Sequence, residues 1–290
     1  MLNINELKKY PLIYVIGHKN LDADSIISAY LLANILKTLG INSEYAILNE
    51  NYNVVYDDED LIKDHLNFNP YIIDSNEIEN NYFILVDHNN PIQSVGDTAE
   101  VVGIIDHHFT VKNIPNCLIG IYASTASYIY ELFKEIYQFT DEEKKLIILA
   151  ILSDTAFLKT SRYRKKDAKI LLELNKNLNL DPEKLCRKYF RTNDFSKGVE
   201  VNFYSNHKKY KYDKLEFECT YVRAKSEDLI YLDEYIEYLK GKETDWLFIW
   251  YEYDTANTFA YLKHDNKIKE FKYNFIASRA NNIIKDVIKK

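Results

Sequence analysis

Three short groups of aspartate and histidine carry the chemistry open to this chain. They are His18-Lys19-Asn20-Leu21-Asp22-Ala23-Asp24-Ser25, Val86-Asp87-His88-Asn89-Asn90 and Asp106-His107-His108. Carboxylate and imidazole together suit Mn2+, Fe2+, Co2+ or Zn2+, whereas oxygen ligands alone suit Mg2+ or Ca2+. Mixed sites rich in carboxylates are typical of two-metal centres with ions about 3.5–4 Å apart, which activate a water and clamp phosphoryl oxygens. One aspartate must then bridge the ions. Asp87 is the natural bridge, at the tip of what reads as a central strand. A fourth acidic candidate is Asp154, in Ser153-Asp154-Thr155 at the end of an apolar helical run. Candidates for a group that meets an anionic substrate are Lys159, Lys197, Arg279 and His108.

The elements behind these groups are legible. Each group follows an unbroken apolar run, at 12–17, 82–85 and 101–105. Such runs read as parallel strands buried on both faces. Ligands of open α/β sheets bind outside the carboxyl ends of the strands. Residues 25–39 carry apolar side chains at helical spacing, with Gly40 as a stop, and 45–48 reads as a strand. The alternation up to Ile105 predicts an α/β fold with a doubly wound, mainly parallel sheet. A short strand at 118–122 and helices at 124–137, 141–152, 165–174 and 182–189 follow. Composition shifts near Arg191-Thr192-Asn193-Asp194. Beyond it, strands at 215–222, 246–253 and 258–262 and helices at 227–239 and from Ser278 predict a smaller α+β domain. The expected domains are residues 1–190 and 197–290, joined without a Pro/Gly/Ser-rich linker.

Plainer readings compete. An Asp-x-Asp pair after a strand is often a turn with a helix N-cap, and Asp24 or Ser25 would serve. Three such groups, each at a strand end, weigh against three turns. His88 reads as a histidine that packs or supports a ligand rather than as a ligand itself, and His65, His207 and His264 as surface residues. The cluster Arg162, Arg164, Lys165 and Lys166 reads as a solvated helix start.

Composition bounds the partners. The chain has 290 residues and a formal charge of -7. That charge argues against nonspecific nucleic-acid binding, which needs a basic surface. Anionic substrates remain open, because bound metals reverse the local sign. The three scattered cysteines, Cys117, Cys186 and Cys219, make no disulfide framework and fit a reducing compartment. With neither a signal-like N-terminus nor a membrane-spanning run, a cytoplasmic protein without a membrane partner is expected.

The pattern His18-x-Asn20-x-Asp22-x-Asp24-Ser25, the Asp87 group and Asp106-His107-His108 resemble the DHH phosphoesterase superfamily. Ser153-Asp154-Thr155, Lys159 and Ser278-Arg279 resemble its branch with a DHHA2 second domain. That branch includes manganese-dependent (family II) inorganic pyrophosphatases, exopolyphosphatases and prune-like enzymes. The other large branch, acting on oligonucleotides, carries a Gly-Gly motif, and this chain has seven glycines with no adjacent pair. The resemblance implies His18, Asp22 and Asp87 on one metal, and Asp24, Asp87, His107 and Asp154 on the other. It implies that His108 touches the substrate, that Lys197 and Arg279 hold phosphates, and that Asp106 orients a ligand or a water. It further implies two divalent ions, Mn2+ with Co2+ or Mg2+ as alternatives, and leaves a homodimer open.

Departures from the pattern are Leu21 for a proline, Asn90 for an acid, and Ala280 for the lysine after Ser-Arg. The expected activity is hydrolysis of phosphoanhydride bonds by a water activated between two metals, with inorganic pyrophosphate as the leading substrate. Within enzymes the alternative is a polyphosphate or another small phosphoester. Outside them it is a metal-binding regulatory protein with little turnover, which Ala280 favours and the full set of metal ligands disfavours.

Overall fold

The computed structural model describes residues 2–52, 58–108, 116–160, 163–189, 192–212 and 215–288. Contacts divide the chain into two compact units, Met1–Leu158 with Arg162–Tyr189, and Lys159–Ser161 with Phe190–Lys290.

The first unit contains α1 (Ile4–Leu7), β1 (Ile13–Ile16), α2 (Ala23–Thr38), β2 (Ser43–Leu48), α3 (Glu59–His65), β3 (Tyr71–Ile73), β4 (Tyr82–Val86), β5 (Glu100–Asp106), β6 (Cys117–Ile119), α4 (Thr125–Phe133), α5 (Asp141–Asp154), α6 (Lys165–Asn175) and α7 (Pro182–Tyr189). Its six strands lie in the order β3-β2-β1-β4-β5-β6. Every pairing in that sheet is parallel. This is an α/β fold in the doubly wound order, and the order in which strands are added reverses between β1 and β4. That reversal opens a crevice at the carboxyl ends of these two strands, where His18 and Asp87 follow.

The apolar runs make strands because both faces are covered. All four β1 residues are buried, as are Phe83, Ile84, Leu85 and Val86 of β4. Tyr14, Ile16, Phe83 and Leu85 line one face with Ala46 and Leu48, under Ile78, Val95 and Ala99 from the connections. Helix α2 packs on β1 and β2 and under α4 and α5. It is accordingly buried nearly all round, which is why its apolar residues outnumber one stripe. Gly17 permits that approach: a Cβ there would sit 2.7 Å from Ser25 Cβ.

The second unit contains α8 (Val199–Tyr204), β7 (Lys208–Tyr212), β8 (Leu215–Ala224), α9 (Leu232–Lys240), β9 (Trp246–Glu252), β10 (Asn257–His264), β11 (Lys267–Tyr273) and α10 (Ile284–Ile288). Its mixed sheet runs β11-β10-β9-β8-β7. Only β8 and β9 pair in parallel, joined by the crossover through α9, and the other pairs are antiparallel. The core is aromatic: Phe203, Tyr235, Trp246, Phe248, Trp250 and Tyr261 pack together.

Several boundaries differ from expectation. The helix expected at 227–239 is a 3-10 turn at Ser226–Tyr231 followed by α9, and the one expected from Ser278 opens as a π turn at Arg279–Ile283. Strands β7 and β11 escaped the pattern because each carries three lysines among few apolar residues, as edge strands favour. Among the described residues no helix is long and apolar enough to cross a membrane.

Candidate metal centre

The carboxyl ends of β1, β4 and β5 bring the three groups together. Asp22 is the N-cap of α2, a role expected of Asp24 or Ser25. Its Oδ1 accepts from Ser25 N at 2.9 Å, and Ser25 Oγ accepts from Asp22 N at 3.3 Å. The cap leaves Asp22 Oδ2 aimed at His18 Nε2, 3.2 Å away. Within the first turn of the helix, Asp24 is fully buried. Its carboxylate accepts from Thr125 N at 2.6 Å and Ala126 N at 2.9 Å, the open N–H groups of α4. Ser28 Oγ donates to it as well, at 3.2 Å.

Asp87 stands at the centre. It follows β4 in the left-handed region, φ +63°, which aspartate tolerates better than most residues. Oδ2 lies 3.3 Å from His18 Nε2, and Oδ1 lies 3.2 Å from His107 Nε2. Thr125 Oγ1 donates to Oδ1 at 3.1 Å. His107 Nε2 is also 3.3 Å from Asp154 Oδ2 at the end of α5. Its other nitrogen, Nδ1, faces the Tyr122 carbonyl at 3.1 Å and must donate to it. In the neutral ring that leaves the lone pair on Nε2, directed at Asp87 and Asp154.

Three sets of possible ligand atoms result, the atoms of each lying within 4.8 Å of one another: His18, Asp22 and Asp87; Asp24, Asp87, His107 and Asp154; and Asp87, Asp106, His107 and His108. Asp87 belongs to all three, but in the third Asp106 Oδ1 is taken up by the His107 and His108 amides and His108 Nδ1. The first two, acidic and imidazole-bearing sets sharing one carboxylate, match the donor chemistry of a divalent pair. His107 Nε2 is buried with no aligned hydrogen-bond partner, as a nitrogen reserved for a metal would be.

Electrostatics agree. Burial opposes the charge on His18, yet Asp22 and Asp87 hold its pKa up to about 11. Burial likewise opposes the charge on His107, which Asp87 and Asp154 hold up to about 10. Asp24 is raised well above the carboxylate range by burial, then by the Asp87 and Asp154 charges. Asp87 is driven the other way: burial opposes its charge, but His107 and His18 hold it well below that range. So many carboxylates in one buried place need positive charge, which protons or cations can supply.

The neighbouring groups have separate tasks. Asp106 is fully buried; its Oδ1 accepts from His107 N at 2.7 Å, His108 N at 3.0 Å and His108 Nδ1 at 2.9 Å. Asn89 donates to its other oxygen at 2.5 Å. This leaves His108 Nε2 on a half-exposed ring whose Nδ1 is 3.7 Å from Asp87. His88 uses both nitrogens, donating to the Val86 carbonyl at 2.8 Å and accepting from Ser94 Oγ at 2.6 Å. Burial pushes it down to about 4, so it stays neutral and packed.

Motif reading overlooked Asp58. It accepts from Ala23 N at 3.1 Å and Ser153 Oγ at 2.8 Å, tying the start of α2 to the end of α5 beside Asp154. No spacing signal marks it, since it lies 35 and 95 residues from these partners.

In the second unit, Lys197 is exposed at the end of a 3-10 turn. Lys159 belongs to this unit, its carbonyl accepting from Ile276 N at 2.9 Å. Arg279 lies 5.6 Å from the Tyr210 ring and 5.4 Å from the Tyr221 ring. Lys208 is opposite Cys219 in the β7–β8 register, on the face that also carries Tyr210 and Tyr221. Burial lowers the Lys208 pKa, and the Arg279 charge lowers it further. Two cations therefore share one aromatic patch, and among the described residues no carboxylate pairs with either. Lys208 was hidden from sequence reading inside a lysine-rich edge strand. Ala280 lies within the π turn.

Comparison with known proteins places this geometry. Residues 12–154 match the DHH family, N-terminal domain. Over 199 residues the chain is 30% identical to the "probable manganese-dependent inorganic pyrophosphatase" of Streptococcus thermophilus, a match covering 65% of this chain and 63% of that one. It is 30% identical over 181 residues to the manganese-dependent inorganic pyrophosphatase of Methanothrix thermoacetophila, covering 59% and 56%. The chain thus matches less than two thirds of these relatives' lengths. A crystal structure from Methanococcus jannaschii, described as a candidate family II inorganic pyrophosphatase, superposes with a TM-score of 0.67 at 20% identity, covering 96% of this chain and 98% of that one. At that identity the likeness is one of fold.

Proposed function

We propose that this chain is a metal-dependent hydrolase of phosphoanhydride bonds, acting on inorganic pyrophosphate with two Mn2+ ions. The observation that carries the reading is Asp87, whose two oxygens face different histidines, His18 and His107. His18, Asp22 and Asp87 would hold one ion, and Asp24, Asp87, His107 and Asp154 the other. Bound there, the ions would activate a water at neutral pH and neutralise phosphoryl oxygens.

The chain's own residues do the rest. The α4 N–H groups and Ser28 fix Asp24, and the Tyr122 carbonyl fixes the His107 tautomer. Asp106 holds His108 by Nδ1, so that Nε2 is the atom that can pass a proton to or from a phosphate oxygen. In the second unit Arg279 and Lys208 form a patch suited to phosphate, and Lys208 joins Lys197 as a candidate for the phosphate-binding lysine. Arginine binds phosphate through paired hydrogen bonds and lysine as a point charge.

Ala280 supports one further reading, because a missing cation loosens the hold on a compact tetra-anion and favours longer or less charged substrates. Phosphate release with Mn2+ from pyrophosphate, tripolyphosphate and long polyphosphate separates the two. Highest kcat/KM on pyrophosphate supports the first, and preference for the longer chains the second. No release from any of the three, from protein that binds Mn2+, leaves the regulatory alternative. Within the patch, Arg279→Ala is expected to raise KM for pyrophosphate and Ala280→Lys to lower it; two unchanged KM values would remove the patch from substrate binding.

A further inference from the structure

Residues 122–126 make four hydrogen bonds to three of the side chains assigned to metal. The Tyr122 carbonyl accepts from His107 Nδ1 at 3.1 Å. Thr125 N and Ala126 N donate to Asp24 at 2.6 and 2.9 Å. Thr125 Oγ1 donates to Asp87 at 3.1 Å. A shift of this segment along its own direction would misplace His107, Asp24 and Asp87 together. Ser124, in the middle, is spent on capping α4 through Ser127 N at 3.1 Å. What holds the segment must therefore come from elsewhere in the fold.

It comes from Asp167, a fully buried carboxylate that takes no part in the chemistry described above. Asp167 Oδ1 accepts from Ala123 N at 2.8 Å, across 44 residues of chain. Its Oδ2 accepts from Arg164 N at 3.1 Å, the N-cap amide at the start of α6. One carboxylate thus pins the 122–126 segment to the rigid first turn of α6. The neighbouring Lys166 ammonium lies 3.5 Å from the Tyr122 ring centroid, clasping the segment from the same turn. The basic helix start is therefore more than a solvated surface at Lys166; Arg162 lies outside the described residues.

We propose that Asp167 is a positioning residue for the metal centre, acting through Ala123 on the carbonyl, amides and hydroxyl that orient His107, Asp24 and Asp87. The proposal rests on the metal reading given above. A helix cap alone would leave the second carboxylate oxygen to water. Here it is spent on an amide next to the residues that grip the ligands, and both oxygens are buried with it. Partners of this kind typically alter metal affinity by about 10–100-fold when removed, because the ligands lose their fixed orientation.

The test compares the full chain with Asp167→Ala, Asp167→Asn and Leu171→Ala. Leu171 is buried on the same helix, so its truncation reports the cost of merely weakening α6. Two readouts are taken: Mn2+ affinity and stoichiometry by equilibrium titration, and amide exchange at Thr125 and Ala126 in metal-free protein. Asp167→Ala is expected to lose about 10-fold or more in Mn2+ affinity and to exchange faster at both amides. Asp167→Asn keeps an acceptor for Ala123 N–H and should restore most of both. Leu171→Ala should lower the melting temperature while leaving affinity and exchange at these amides near wild type. Wild-type behaviour of Asp167→Ala in either readout, or losses in Leu171→Ala as large as those in Asp167→Ala, overturns the proposal. Failure of the wild type itself to bind Mn2+ overturns the metal reading instead, and the exchange data still decide whether Asp167 holds the segment.

Discussion

Asp87 and His108 illustrate how neighbouring polar residues divide the work. Asp87 is buried, carries positive φ, and touches His18, His107 and Thr125 through its two oxygens. Replacing it by asparagine keeps the shape and removes the charge. Asp87→Asn is therefore expected to lose at least half of the bound Mn2+ and nearly all turnover, measured by metal analysis of dialysed protein and by phosphate release. Retention of both ions with near-normal rates would end the two-metal reading. His108 presents the opposite case, half-exposed and hydrogen-bonded through Nδ1 to Asp106. His108→Ala should keep its metal and lose about 10²–10⁴-fold in kcat, the usual range for a lost proton-transfer group. Loss of metal in that variant would make His108 a ligand.

Helix α2 and strand β1 are the pair on which the site depends most directly. The turn between them carries His18 and Asp22, and the first turn of α2 carries Asp24. Gly17 lets the helix start close against the strand end, with no room for a Cβ beside Ser25. Gly17→Ala is expected to destabilise the protein by about 1–3 kcal/mol, the range for overpacking, read as a fall in the urea midpoint. It should also weaken Mn2+ binding, since Ser25 is the reciprocal partner in the Asp22 cap. Unchanged stability would mean that α2 can retreat from β1 at no cost. Elements read from apolar periodicity were found where burial imposes the period, as in β1, β4, β5 and α5. Strands β7 and β11 were not, because each carries three lysines that interrupt any apolar run.

The two units each own a core of different character, aliphatic in the first and aromatic in the second. Only the first contains the acidic and histidine sets that could take divalent ions, among the described residues. Metal should then act as a ligand of the folded first unit. With free Mn2+ at about 100 times its dissociation constant, that unit gains about 2.7 kcal/mol. Calorimetry with Mn2+ and then with excess chelator should show one transition moving and the remaining heat absorption unchanged. Equal shifts across the whole profile would show that the ion stabilises more than the first unit.

The sequence by itself determined the strand ends, and with them where His18, Asp87 and Asp106 stand, because buried parallel strands demand unbroken apolar runs and ligands gather at their carboxyl ends. It also offered Asp154 as a candidate and marked His88 as a residue that packs or supports a ligand. What needed the tertiary structure was everything joined across long chain separations. Asp22 rather than Asp24 caps α2, because Asp24 is drawn inward onto the α4 amides, 101 and 102 residues away. Asp58, Lys208 and Asp167 carry no motif, since each acts by reaching an element distant in sequence. A carboxylate bound to a remote amide leaves no periodic trace in the chain; only folding brings the two groups within a hydrogen bond.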